Sequence, residues 1–143
     1  MFIKQLSVFV ENKKGRLAEI ISALGNGGVD VCALSIADAT DFGVLRLIVN
    51  DTDLAKSILE TLGVIFKINR VIGVAIDDTP GGLARVLETI NDNDISVEYL
   101  YAFVGRSKKG AMVVLRTNDN EKALATLTSA GVTILNDDEV YGK

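Results

Sequence analysis

The sequence predicts an α+β protein made of two consecutive βαββαβ units, each with an antiparallel sheet. Three observations lead there. The chain resembles itself at an offset of 66 residues: Val8 matches Val74, Gly15 matches Gly81, Leu17-Ala18 match Leu83-Ala84, Val31 matches Val97, and Leu34 matches Leu100. Within each copy the apolar residues change period, from two in strand-like stretches to three or four in helix-like ones. No Pro/Gly/Ser-rich linker separates the copies, so the units are expected over residues 1–70 and 71–143 and to dock closely.

The elements follow in order. Leu6, Val8 and Val10 alternate with Lys4 and Ser7 as in a half-buried strand. Leu17, Ile20, Ile21 and Leu24 then mark one face of a helix, and Leu83, Val86, Leu87 and Ile90 repeat that spacing. Gly25-Asn26-Gly27-Gly28 is expected to stop the first helix and Asn91-Asp92-Asn93-Asp94 its equivalent, because these residues tolerate left-handed backbone. Strands are expected at 29–37 and 43–50 around a polar turn, and at 95–104 and 110–117 around Arg106-Ser107-Lys108-Lys109. The second helices carry Leu54, Ile58 and Leu62, and then Leu124 and Leu127. They end at Gly63 and Gly131 after one further inserted residue in each half of the second copy. From Val64 to Ile76 the chain reads as one long strand that closes the first copy and opens the second. A βαββαβ unit is the ferredoxin-like arrangement, with both crossovers right-handed and both helices on one sheet face. Units of this size bury a limited core and gain from packing on a neighbour, within the chain or from a second copy.

Composition narrows the chemistry. The 143 residues hold 15 Lys+Arg and 19 Asp+Glu, a net charge of −4, which disfavours a nucleic-acid partner. There is no histidine, so imidazole acid–base catalysis and histidine metal sites are excluded. The single cysteine, Cys32, excludes an intrachain disulfide and reads as a small buried hydrophobe in a strand. No run is long enough to span a membrane and the start does not read as a secretory leader, so the expected address is the cytoplasm. No paired carboxylates or nucleophile–base spacing stand out, so no enzyme, metal or cofactor is expected. The tail Asn136-Asp137-Asp138-Glu139 reads as a solubilising acidic end, with a divalent cation as the sharper alternative. Tyr99, Tyr101 and Phe103 form an alternating aromatic row suited to packing or to stacking on a ligand.

The informative segments are the turns between first strand and first helix: Glu11-Asn12-Lys13-Lys14-Gly15-Arg16-Leu17 and Asp77-Asp78-Thr79-Pro80-Gly81-Gly82-Leu83. A helix start offers unpaired N–H groups and partial positive charge, and glycine lets a ligand approach. A carboxylate suits that end, while Asn12 or Asp78 supplies an oxygen for an ammonium group. Plain capping is the competing reading, with Thr79 as N-cap and Pro80 in the first helical position.

These turns resemble the opening turn of ACT domains, small βαββαβ regulatory modules that bind amino acids. Asn12-x-x-Gly15-x-Leu17 and Asp78-x-Pro80-Gly81-x-Leu83 carry the resemblance, supported by Gly28-Val29-Asp30-Val31 and Asp94-Ile95-Ser96-Val97 at the following strand starts. It covers nearly the whole chain as two tandem units. It implies a ligand held between units by Asn12 with Asp30 and by Asp78 with Ser96. Gly15, Arg16, Leu17, Pro80, Gly81, Gly82 and Leu83 would line the two turns. Lys14 stands where the family usually has proline, and Asp30 and Ser96 where many members have asparagine. The resemblance implies a non-catalytic amino-acid sensor, acting as a homodimer. The alternative is a ligand-free dimerisation or interaction module that acts on an enzyme in trans.

Overall fold

A computed structural model describes residues 1–38, 41–104 and 110–141. The expected polar turn at Arg106-Ser107-Lys108-Lys109 lies outside the described residues, as does the middle of the 38–42 turn. The element order is β1 (Ile3–Glu11), α1 (Arg16–Asn26), β2 (Val31–Asp38), β3 (Phe42–Val49), α2 (Thr52–Leu62), β4 (Phe66–Ile76), α3 (Gly82–Asp92), β5 (Val97–Ala102), β6 (Ala111–Thr117), α4 (Asn120–Ser129), β7 (Thr133–Ile134) and α5 (Asp137–Val140). These form two βαββαβ ferredoxin-like units in tandem. Two compact groups emerge: Lys4–Asn69, with Tyr141, and Arg70–Val140, with Met1–Ile3. The first residues join the second group because Phe2 packs on its core and Ile3 lies against Gly73.

In the first unit β3 is central and antiparallel to both β1 (Leu6 opposite Leu47) and β2 (Leu34 opposite Leu47). Cross-strand partners share a face. Leu6, Val8, Val10, Leu45, Leu47 and Val49 therefore point together at Ile20 and Leu24 of α1 and Ala55 and Leu59 of α2, all buried. The amide of Phe9 donates to the carbonyl of Ile65 (2.9 Å), bringing the chain before β4 beside β1. In the second unit β6 pairs with β4 and β5, and β7 pairs with β4. Ile72, Val74, Val113 and Leu115 meet Val86, Ile90, Ala123 and Leu127. Of the residues expected along one face of α1 and α3, Ile20, Leu24, Val86 and Ile90 are buried and Ile21, Leu83 and Leu87 partly so, while Leu17 is exposed.

The helix ends refine the expected stops. Gly25 and Asn26 are still helical, and the left-handed residue is Gly28 (φ 86°). Its counterpart is Asp94 (φ 58°), a short polar residue that tolerates this conformation. At the far side of the first unit α2 closes on left-handed Gly63 (φ 72°), as expected. The acidic tail contains a short helix that the sequence reading did not anticipate. Asn136 accepts from the amide of Glu139 (2.9 Å) and Glu139 accepts from the amide of Asn136 (3.1 Å), a reciprocal capping box. Among the described residues no group of three acidic, cysteine or histidine side chains is placed to hold a metal ion. Among them, too, no helix is long and apolar enough to cross a membrane.

The second helix of each unit starts on an aspartate. Asp51 accepts from the amide of Leu54 and Asp119 from that of Lys122, both at 3.1 Å. Asp51→Ala and Asp119→Ala should each cost about 1 kcal/mol, read as a lower denaturation midpoint in urea with an unchanged slope.

Candidate functional site

The first helix of each unit begins in a different way. Residues 13–16 form a turn in which the Arg16 amide donates to the Lys13 carbonyl (3.2 Å). In 79–82 the Gly82 amide donates to the Thr79 carbonyl (3.0 Å). Gly15 (φ 85°, ψ −7°) and Gly81 (φ 86°, ψ −2°) occupy the third position, the geometry of a type II turn. Pro80 stands at the second position, where its fixed φ fits, and Lys14 takes that place in the first copy. The expected capping by Thr79, with Pro80 in the first helical position, is not what forms. Thr79 opens the turn, Gly81 is the N-cap, and neither α1 nor α3 receives a side-chain cap. The first amide of each of these helices, that of Arg16 or Gly82, is thus used within the turn and no side chain caps the amides that follow, whereas in α2 and α4 an aspartate meets the amide of the third helical residue.

The two glycines following strand β4 differ in their constraints. A Cβ on Gly15 would meet nothing within 4 Å, and one on Gly81 only the end of Arg85. A Cβ on Gly82 would overlap the carbonyl oxygen of Asp77. Arg16 holds the equivalent place in the first unit, so the two turns are not closed equally tightly.

Charge surrounds both turns. Glu11 pairs with Lys13 at 3.0 Å and more distantly with Arg16 at 4.0 Å, and Arg16 also pairs with Glu19. The Arg16 side chain is only 19% exposed and its Nε is buried without an acceptor among the described residues. Lys13, by hydrogen bond and charge, holds the Glu11 carboxyl below its ordinary value. In the second unit Arg85 faces Asp77 at 3.4 Å. Clefts flank each turn. One of about 350 Å³ lies over it, lined by Glu11, Lys13, Lys14, Gly15, Arg16 and Glu19. A second, of about 290 Å³, opens toward β2 and includes Asn12, Leu17, Ile36 and Gly43. A third, of about 300 Å³, opens toward the α2–β4 connection. Its equivalent in the second unit, about 390 Å³, is lined by Asp77, Gly82, Arg85, Thr89 and residues 130–133 among others.

Asn12, Gly15, Arg16 and Leu17 therefore gather at one turn, and Asp78, Pro80, Gly81, Gly82 and Leu83 at the other. Asp30 and Ser96 do not join them within their own units. The Asn12 amide donates to the Asp41 carbonyl, at the β3 end where Asp38 pairs with Gly43. Asp30 precedes Val31, which pairs with Val49 at the other end, about 20 Å away at the rise of a strand. Likewise Ile76 pairs with Ala111 beside the second turn, while Val97, next to Ser96, pairs with Thr117.

Two residues bearing on these strand starts escaped the sequence reading. The Asn50 side chain accepts from the Asp30 amide (2.8 Å) and the Asn50 amide donates to the Asp30 carbonyl (3.1 Å). Asn118 does the same for Ser96, at 2.9 and 3.0 Å. The repeated dipeptide, Asn50-Asp51 and Asn118-Asp119, was the available signal. Cys32, next to Asp30, is half-buried instead of buried; desolvation first, and the Asp30 charge second, raise its thiol pKa. In the aromatic row the Tyr99 and Tyr101 rings stack at 6.4 Å, while Tyr101 and Phe103 are buried.

The fold and the paired glycine turns define a tandem module of two ferredoxin-like units. A family model described as an ACT domain pair matches residues 1–141, and the chain belongs to that family. It is similar to protein BT0572 from Bacteroides thetaiotaomicron, with 35% identity and a TM-score of 0.90, over 100% of this chain and 98% of that one. The regulatory subunit of aspartate kinase from Thermus thermophilus, in its ligand-free form, has the same fold at 15% identity and a TM-score of 0.60, over 89% and 91% of the two chains. E. coli aspartokinase III, in complex with lysine and aspartate, matches at 18% identity and a TM-score of 0.52, over 91% of this chain and 31% of that enzyme. No curated protein matches the chain by sequence.

Gly15→Ala should fold with a loss of about 1–2 kcal/mol from its left-handed backbone, whereas Gly82→Ala should lose more, because backbone must move; thermal melts of the two variants check the order. Lys13→Met should raise the Glu11 titration midpoint toward the ordinary carboxylate value, measured by NMR. In the parent chain the Glu11–Lys13 contribution is complete above the ordinary carboxylate pKa and fades as pH falls through the lowered one.

Proposed function

We propose that this ACT domain pair is a non-catalytic regulatory sensor for a small amino acid. The observation that carries the reading is the contrast among the four principal helices. Two start on aspartate caps, and the two that follow the first strand of each unit start on uncapped, left-handed glycine. A ligand carboxylate fits those amides and the helix dipole. Asn12 or Asp78 offers an oxygen to the ammonium group. Asp30 and Ser96, remote from the turns of their own units, would act on a ligand held by the turn of another unit. A homodimer is one way to supply it. Aspartokinase III, crystallised with lysine and aspartate, supports amino acids as the ligand class. A regulated enzyme in trans and a cytoplasmic location complete the proposal.

The second reading, a ligand-free interaction module, draws on β2. Among the described residues this strand pairs only with β3, and Leu34 and Ile36 on it are exposed. Unguarded apolar edge strands recruit partners.

Calorimetric titration against the twenty amino acids separates the two. The sensor binds at least one with a Kd below about 10 mM, and its melting temperature rises with that ligand as RT ln(1 + [L]/Kd) requires. Silence in both measurements across all twenty leaves the interaction module.

A further inference from the structure

The cleft beside the α2–β4 connection differs between the units in a way that bears on which amino acid is read. In the first unit it is walled by Phe9, Phe42, Val64 and Ile65, with Glu11 and Arg16 at its charged side. Phe9 and Phe42 meet edge to face, with ring centroids 5.6 Å apart. Two of these apolar groups are open to solvent: Phe42 is 42% exposed and Ile65 71%. Single exposed apolar residues are ordinary, but these line one concavity that also contains a cation and an anion. Among the described residues the equivalent cleft of the second unit has Ala75 in place of Phe9, Thr133 in place of Ile65 and Gly82 in place of Arg16, the position matching Phe42 lying outside them. Arg85 and Thr89 make it more polar.

We infer that the first unit's cleft takes an amino acid with a large apolar side chain, and that the second unit's equivalent cleft does not. The inference rests on the amino-acid reading above and narrows it. In this cleft Arg16, which also pairs with Glu11 and Glu19, donates to the ligand carboxylate in place of the α1 amides, and Glu11, in place of Asn12, accepts from its ammonium group. The side chain lies against Phe9, Phe42 and Ile65. A volume of about 300 Å³ falls at the small end of ligand sites, which argues for a free amino acid over a partner helix or strand. The charges are complementary to a zwitterion, and the apolar wall gains contact only from an apolar side chain. Glu11 is ionised when it does this, since Lys13 keeps its carboxyl below the ordinary range.

The test is calorimetric titration of the intact chain and of Ile65→Thr, which installs the second unit's residue at an exposed position. The ligands are phenylalanine, leucine and isoleucine against serine, aspartate and lysine. Expected is binding of at least one apolar amino acid, weakened about tenfold or more in Ile65→Thr, with an unchanged thermal melt in the absence of ligand. Binding of polar amino acids alone overturns this inference and leaves the sensor standing. Binding of none of the twenty overturns both. An apolar ligand bound equally by parent and variant overturns the placement in this cleft. So does an Ile65→Thr variant that loses self-association by sedimentation while keeping its ligand affinity, since the patch is then a protein interface.

Discussion

The site depends on one backbone constraint, the left-handed glycine third in the turn that launches α1 and α3. With φ near +85°, Gly15 and Gly81 direct the chain into a helix without an Asx or Ser/Thr residue in the N-cap position. A side chain there would carry a conformational cost, and it would also cap the amides that the turn leaves open. The chain shows in its other two helices how it satisfies such amides when nothing else is to meet them: Asp51 and Asp119 each accept from the third helical residue. The openness of α1 and α3 is thus a property of particular positions, repeated in both units, and not of helix starts in this protein generally.

A second constraint governs the strand starts. Asn50 and Asn118 each exchange two hydrogen bonds with the residue before the second strand of their unit, fixing the backbone of Asp30 and Ser96 while leaving both side chains exposed. Antiparallel pairing then carries β2 and β5 away from the glycine turns. Turn and strand start are rigidly held, but at opposite ends of one sheet, so neither unit brings its own two polar groups together.

The repeat, the helix stripes and the strand alternation were legible because they rest on apolar periodicity, which burial enforces; Ile20 and Leu24 are buried and Ile21 half-buried on the expected face of α1, though Leu17 at its start is exposed. The glycine turns were legible as special positions, though their type was not. Thr79-Pro80 satisfies the local rule for a capped helix as well as it satisfies a type II turn, and the left-handed geometry of Gly81 decided between them. The end of α1 falls within the expected Gly25–Gly28 segment, with Gly25 and Asn26 tolerated in the last helical turn and the left-handed position taken by Gly28. The tail was read by charge alone, which hid the reciprocal bonding of Asn136 and Glu139. Asn50 and Asn118 were missed because their role lies in contacts twenty or more residues away along the chain.

The copies have kept their backbone and changed their walls. Residues 13–16 and 79–82 trace one turn, yet Arg16 stands where Gly82 does, Glu19 where Arg85 does, Phe9 where Ala75 does and Ile65 where Thr133 does. Gly82 is held by contact with Asp77, a structural demand that the first copy does not share. Phe9 is half-buried and its counterpart Ala75 buried, but Glu19 and Arg85, and Ile65 and Thr133, are exposed, at positions where the core imposes little and a stability-driven sequence would be free to remain polar. Exposing Ile65 and much of Phe42 to water gains nothing for folding, since the hydrophobic effect acts on apolar surface removed from water. An apolar wall kept open beside a cation and an anion is a cost to the isolated chain that only an occupant can offset. That asymmetry is why the two clefts, alike in backbone, are read here as answering to different ligands.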